Sequence, residues 1–298
     1  MFSRYAKFTP IAAMRPGSIH RQHHTHEKKS ARTNTDGKKI KVTIWNENVH
    51  ETEQNALGDV CRQHYPHGIH NYLKDALVAD DLEIRAVSLD MPEQGMPDSL
   101  IQDTDVLLWW GHCAHARVED ALADKLQKRV LDGMGLIVLH SGHYSKVFKR
   151  LMGTSCSLHW REVGEKERLW KVVRKHPITE GVPETFVIPH TEMYGESFDI
   201  PDDGKNIFIS WYEGGNVFRS GVTFLRGNGR IFYFSPGHET YPIYHDKNVQ
   251  RVIANAIRWA NPQSMRDAWV ENIPEGDEVI TTPNPLADID TSALHKAQ

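Results

Sequence analysis

Residues 135–145 read Gly135-Leu136-Ile137-Val138-Leu139-His140-Ser141-Gly142-His143-Tyr144-Ser145. The apolar opening has the continuity of a strand covered on both faces, as a parallel sheet between two helical layers requires. It stops at His140, and Val147, Phe148 and Leu151 then follow at helical spacing. A strand, a tight polar turn and a helix place that turn at the carboxyl edge of a sheet, where open α/β sheets bind their ligands. Two imidazoles and a hydroxyl within four residues are a costly choice for a merely structural turn.

Working outward, the same pattern recurs. Ile40–Trp45 is an apolar strand that opens into the polar run Asn46-Glu47-Asn48-Val49-His50-Glu51. Asp105–Gly111 is a second, emptying into His112-Cys113-Ala114-His115. Ile231–Phe234 ends in Ser235-Pro236-Gly237-His238-Glu239. Leu82–Leu89 alternates as a half-covered strand, and helices are expected from Pro66, over Val118–Val130 and over Val249–Ala260. Short aromatic strands are expected at Leu169–Val173, Phe186–Pro189, Asn206–Tyr212 and Val217–Leu225, with 189–196 as a polar loop. The fold class expected is a three-layer α/β/α sandwich around a doubly wound, mostly parallel sheet.

Composition narrows the partners. The 298 residues carry a net charge of −4, yet residues 1–39 hold nine Lys/Arg against Glu27 and Asp36. That surplus of seven leaves about −11 on the remainder, the wrong sign for a nucleic-acid-binding core. Residues 1–39 read as a disordered basic extension, 40–262 as the folded domain and 263–298 as an acidic tail. Apolar runs are too short to span a bilayer. Three scattered cysteines (Cys61, Cys113, Cys156) suit a reducing, cytoplasmic setting. The aromatic second half suits a homo-oligomer, and no G-x-G-x-x-G follows the first strand, so no nucleotide cofactor is expected.

Six strings carry a resemblance: KVTIWNENVHE (41–51), LLWWGHCAHARVED (107–120), GMGLIVLHSGHYSKVFKRLMG (133–153), LHWREVGEKERLW (158–170), EMYGESFDIP (192–201) and FSPGHETYPIYH (234–245). Together they resemble the ThuA family, named for trehalose utilisation, from about Ile40 to Ala260. The resemblance implies a class I glutamine-amidotransferase-like, flavodoxin-like sandwich. It also implies a role in catabolism of trehalose-related disaccharides, including their 3-keto derivatives. Amidotransferases of that fold keep a cysteine at the strand-to-helix elbow. Here His140-Ser141-Gly142-His143 stands there, so a cysteine-dependent amidotransferase is not expected.

The rim residues admit two chemistries. His112, His140 and His238 converging from separate strands are a ligand set for a divalent metal, zinc foremost. Without a metal, His140 or His238 would serve as base, Glu192 as acid, and His112 or the backbone N–H groups at the helix start near Tyr144 as oxyanion stabiliser. Substrate contacts are expected from Asn46, Glu47, His143 and Tyr241. Among Trp109, Trp110, Trp160, Trp211 and Tyr241, Trp211 beside Tyr212-Glu213-Gly214-Gly215 is the preferred sugar wall. A small-molecule sugar is the expected partner, and a non-catalytic sugar-binding protein the alternative.

Overall fold

The computed structural model describes residues 38–262, 281–285 and 288–289. The expected basic extension and acidic tail lie almost wholly outside the described residues. The described residues from Lys39 onward belong to one compact unit.

Nine strands make one sheet: β1 (Ile40–Asn46), β2 (Leu82–Ser88), β3 (Val106–Trp110), β4 (Gly135–Leu139), β5 (His159–Lys171), β6 (Thr185–Gly195), β7 (Lys205–Tyr212), β8 (Val217–Arg226) and β9 (Gly229–Phe234). Their order is β2-β1-β3-β4-β9-β8-β7-β5-β6. The first five in that order are mutually parallel, and the remaining pairings are antiparallel. The helices are α1 (Ala56–His64), α2 (Gly68–Ala76), α3 (Asp98–Gln102), α4 (Asp120–Leu131), α5 (Lys146–Met152) and α6 (Lys247–Ala260).

Alternation along the central strands builds two cores. Val106, Leu108, Trp110, Ile137 and Leu139 pack with Ile69 and Leu73 of α2 and with the Val249–Ala260 stripe of α6. Leu107, Trp109, Leu136 and Val138 face the other way, onto Leu122 and Leu126 of α4 and Val147 and Phe148 of α5. The α/β/α sandwich is therefore present. Strands β1, β3, β4 and β9 are neighbours, so the turns after them share one edge. Caps hold the helices that frame that edge: Ser145 accepts from the Phe148 N–H at the start of α5, and Asp246 from those of Asn248 and Val249 at the start of α6.

Two expectations are corrected in the second half. β5 begins at His159 rather than Leu169, because His159–Gly164 is half-exposed and carries no apolar stripe to announce it. Residues 189–195 are not a closing loop but the second half of β6, paired with β5 through Met193–Arg161 and Tyr194–Trp160. α1 also goes unannounced in the sequence: few of its residues are buried.

A buried carboxyl sits among the antiparallel strands. Glu167 of β5 is fully buried, accepts from the hydroxyls of Ser210 (2.5 Å) and Tyr212 (3.2 Å), and burial pushes it up to about 7. Unfolded, it releases its proton near the ordinary value of 4.5. Between those values the unfolded chain binds fewer protons, so this group makes stability fall as pH rises to about 7, and adds no slope above. Glu167→Gln is expected to remove that slope. Relative to wild type, the variant gains up to about 3 kcal/mol between pH 4.5 and 8 in urea unfolding curves.

Candidate functional site

At the shared edge the turn after β4 sets the geometry. His140 adopts φ +49°, a left-handed conformation that turns its ring back over the sheet edge. The turn after β9 approaches it closely at Gly237, where a Cβ would lie 2.0 Å from Tyr244 Oη and 3.2 Å from His140 Cβ. The Trp110 indole N–H donates to the Gly237 carbonyl (2.9 Å), fixing that approach. Three imidazoles consequently form a triangle, with ring centroids 6.0 Å (His112–His140), 5.1 Å (His112–His238) and 5.3 Å (His140–His238) apart.

Glu239, fully buried, lies beneath them. Its Oε1 accepts from Nδ1 of both His50 (2.5 Å) and His112 (2.7 Å), and its Oε2 lies 3.6 Å from Nδ1 of His238. Burial alone would raise its pKa; the hydrogen bonds from His112 and His50 instead hold it well below the carboxylate range. An ionised carboxylate only accepts, so His112 carries its proton on Nδ1 and, when neutral, keeps a lone pair on Nε2. The Cys113 thiol and Glu239 together push His50 up to about 11.

A second pair faces the first. Nδ1–H of His140 donates to the Ser235 carbonyl (2.8 Å), which leaves Nε2 to meet Glu192 Oε2 (3.1 Å) and the Tyr194 hydroxyl (3.3 Å). The Tyr194 ring stacks on His140 at 4.9 Å, and its hydroxyl pairs with Ser141 (2.8 Å). Burial lowers His140, while for Glu192 the hydrogen bond and charge of His140 outweigh burial and lower it too. A lone pair facing a carboxylate repels it unless a proton or another cation lies between. The pair is built to hold one.

A cleft of about 410 Å³ opens over this floor, lined by His112, His115, Ser141, His143, Tyr144, Ser157, Leu158, Trp160, Glu162, Glu192 and Tyr194. His140 and His238, expected as bases, stand directly behind two lining carboxylates: His140 Nε2 lies 3.1 Å from Glu192 and His238 Nε2 3.2 Å from Glu162. His143 does line the cleft. Its Nδ1–H donates to the Cys156 carbonyl (2.6 Å), and burial pulls it down to about 3, so its ring is neutral. Burial likewise brings His115 down to about 4.

Other expected contacts are relocated. Glu47 does not reach the cleft. Its carboxylate accepts the backbone N–H groups of His112 (2.7 Å), Cys113 (2.9 Å) and Ala114 (3.0 Å), and so gathers the turn after β3. Asn46, buried, donates to Glu51 (2.8 Å) and accepts from the Asn48 N–H (3.0 Å). Trp211 pairs with Arg168 and Val217 within the sheet, away from the cleft lining. Tyr241 lies behind the wall, its ring 5.6 Å from His238 and its hydroxyl 3.3 Å from Glu162. His190 is turned outward to the Gly164 carbonyl (2.9 Å). Trp160 takes the wall position instead, and Glu162, two residues on, reaches His238 Nε2 (3.2 Å). Trp160 and Glu162, two residues apart on one strand, share a face, but no alternation in residues 159–162 announces that strand in sequence.

Fold and rim together define an α/β sandwich protein with a polar cleft at the carboxyl edge of its parallel strands. The family model described as trehalose utilisation, ThuA, matches residues 41–260, and the chain belongs to that family. A ThuA-like protein from Bacteroides uniformis ATCC 8492 is similar over 78% of this chain and 98% of its own, with 15% identity and TM-score 0.56. One from Parabacteroides merdae ATCC 43184 shows 14% identity over 80% of this chain and 94% of its own, TM-score 0.52. A cytoplasmic protein from Salmonella typhimurium LT2 shows 11% identity over 74% of this chain and 100% of its own, TM-score 0.53. Likeness at these identities establishes the fold alone. No curated protein matches the sequence. Among the described residues no helix is long and apolar enough to cross a membrane.

Glu47→Ala strips three backbone donors of their acceptor at once. It is expected to cost about 2–4 kcal/mol in urea unfolding and to speed amide exchange at 112–114.

Proposed function

We propose that this chain is an enzyme of carbohydrate catabolism, working in the cytoplasm on a trehalose-related disaccharide or its 3-keto derivative. The observation that carries the reading is the cleft itself. Its floor presents His112 and Glu192, each backed by a buried partner of opposite kind, Glu239 behind the imidazole and His140 behind the carboxylate. Such paired groups polarise a sugar oxygen and move a proton beside it, which is what proton removal next to a keto group demands.

The lining also speaks to substrate class. Among the described residues no Lys or Arg lines the cleft; Lys149 lies over the ring of Tyr144, a lining residue, at 3.9 Å. Phosphate recognition favours charge-assisted contacts from Arg or Lys. Imidazoles, hydroxyls and carboxylates suit an uncharged sugar instead. Trp160, 66% exposed on the wall, offers an indole face on which a pyranose can stack. It is the direct cross-strand partner of Tyr194, so wall and floor lie about one cross-strand step apart.

Turnover of 3-keto-trehalose and of trehalose, followed by product release, tests this. Glu192→Gln and His112→Ala are each expected to lower kcat at least about 100-fold with the fold intact, as loss of an acid–base group does. Trp160→Ala is expected to raise KM about 10-fold and leave kcat within a few-fold, since it removes binding held equally in ground and transition states. A wild-type protein that binds these sugars and turns over neither would be a sugar-binding protein on an enzyme fold.

A further inference from the structure

We propose that the floor of the cleft holds one divalent cation of the zinc type between His112, Glu192 and His238. Its binding is argued from this chain's own atoms; only the chemistry assigned to it rests on the reading of the cleft as a sugar site.

Three independent observations converge. One ligand atom from each of the three residues lies within 4.8 Å of the others. Ligands on zinc at about 2.0–2.1 Å sit roughly 3.3 Å apart in a tetrahedron, so a small inward movement closes the site. Second, Glu192 Oε2 and His238 Nε2, in residues 5% and 2% exposed, make no well-directed hydrogen bond: Glu192 Oε2 has only the ring edge of His140 at 3.1 Å beside it, and His238 Nε2 the Glu162 carboxylate at 3.2 Å. Buried polar atoms left unpaired are costly and call for an occupant. Third, charge is unbalanced. Among the described residues, no Lys or Arg forms an ion pair with Glu162, Glu192 or Glu239; their ion-pair partners are imidazoles alone.

The surrounding residues prepare the ligands. Glu239 holds Nδ1 of His112 and so turns its Nε2 lone pair outward, the arrangement that orients metal-bound histidines. Nδ1 of His238 accepts from the Thr240 N–H (3.2 Å), which puts the ring proton on Nε2 toward Glu162 Oε2 (3.2 Å); a cation at Nε2 would move that proton to Nδ1, where Thr240 Oγ1, 2.7 Å away, can accept it in place of the N–H contact. Two imidazoles and one carboxylate select a zinc-like ion over magnesium or calcium, which prefer oxygen alone. The neighbouring set His50, His112 and Glu239 is a poorer site, because both imidazoles already spend an Nδ1 proton on that carboxylate. His140 stands outside the ligand set as the partner of Glu192; Glu192 takes the ligand place expected for it. A cation held by three protein groups keeps a position open to the cleft, where it would polarise a sugar oxygen or acidify a water.

Metal uptake by the full-length chain decides this, with His20, His23, His24 and His26 replaced by Ala in every sample so that they cannot scavenge ions. Equilibrium dialysis against zinc, and the visible spectrum after cobalt loading, are the readouts, with circular dichroism confirming folding. Wild type is expected to take up one zinc per chain and to melt higher with it. Glu239→Gln is expected to weaken zinc about 10–100-fold, and Glu192→Gln and His238→Ala by more. No uptake by folded wild type, or uptake unchanged in Glu192→Gln and His238→Ala, overturns the site. Sugar turnover by metal-free protein would overturn the chemistry assigned to the cation while leaving the sugar reading intact. Zinc bound at these residues without turnover of either sugar would do the reverse.

Discussion

One buried carboxylate organises the edge of this sheet. Glu239 is excluded from water yet stays ionised, and a lone ion in that position would be prohibitively expensive. Imidazoles compensate it: His50 from the turn after β1, His112 from the turn after β3, and His238 beside it after β9. Each hydrogen bond draws a different loop to the same pair of oxygens. The three turns are thereby fixed relative to one another before any substrate arrives, and the tautomer of His112 is fixed with them.

The backbone around that carboxylate is shaped to the same end. Glu47 satisfies three consecutive N–H groups after β3, while Gly237 lets β9 pass against Tyr244 and His140 where a side chain would collide. The left-handed His140 aims its Nε2 at Glu192 on the antiparallel side of the sheet. The site therefore joins the two halves of the sheet: imidazoles come from the parallel strands, and the facing carboxylate and the aromatic wall come from β5 and β6. Their arrangement leaves unpaired acceptors pointing at a common centre, which is the physical reason to expect a proton or a metal ion there.

The parallel half was legible because burial on both faces forces unbroken apolar runs, and a histidine after such a run marks the edge without ambiguity. His112, His140 and His238 came together for that reason. The antiparallel half was not. Residues 189–195 look like a loop because half of β6 serves the polar floor, and β5 opens with exposed residues that no apolar period reveals. Glu192 reads in sequence as an acid on a polar loop beside the rim; its strand, and the pairing of Tyr194 with Trp160, leave no sequence signal. Asn46 and Glu47 illustrate a different limit. A polar residue at a strand end can face a ligand or hold a loop, and only the positions of three backbone N–H groups reveal which. Sequence favours Trp211 for its Gly-rich neighbour, whereas exposure and register put Trp160 on the wall.

The most direct measurement is a crystal structure of the Glu192→Gln protein soaked with 3-keto-trehalose. The account predicts one sugar ring on the floor, with an oxygen directed at the His112–His238 side and carbon–hydrogen bonds facing residue 192, and the second ring against Trp160. Sugar bound elsewhere, or the cleft filled by a neighbouring protein surface with no sugar under saturating conditions, would contradict it.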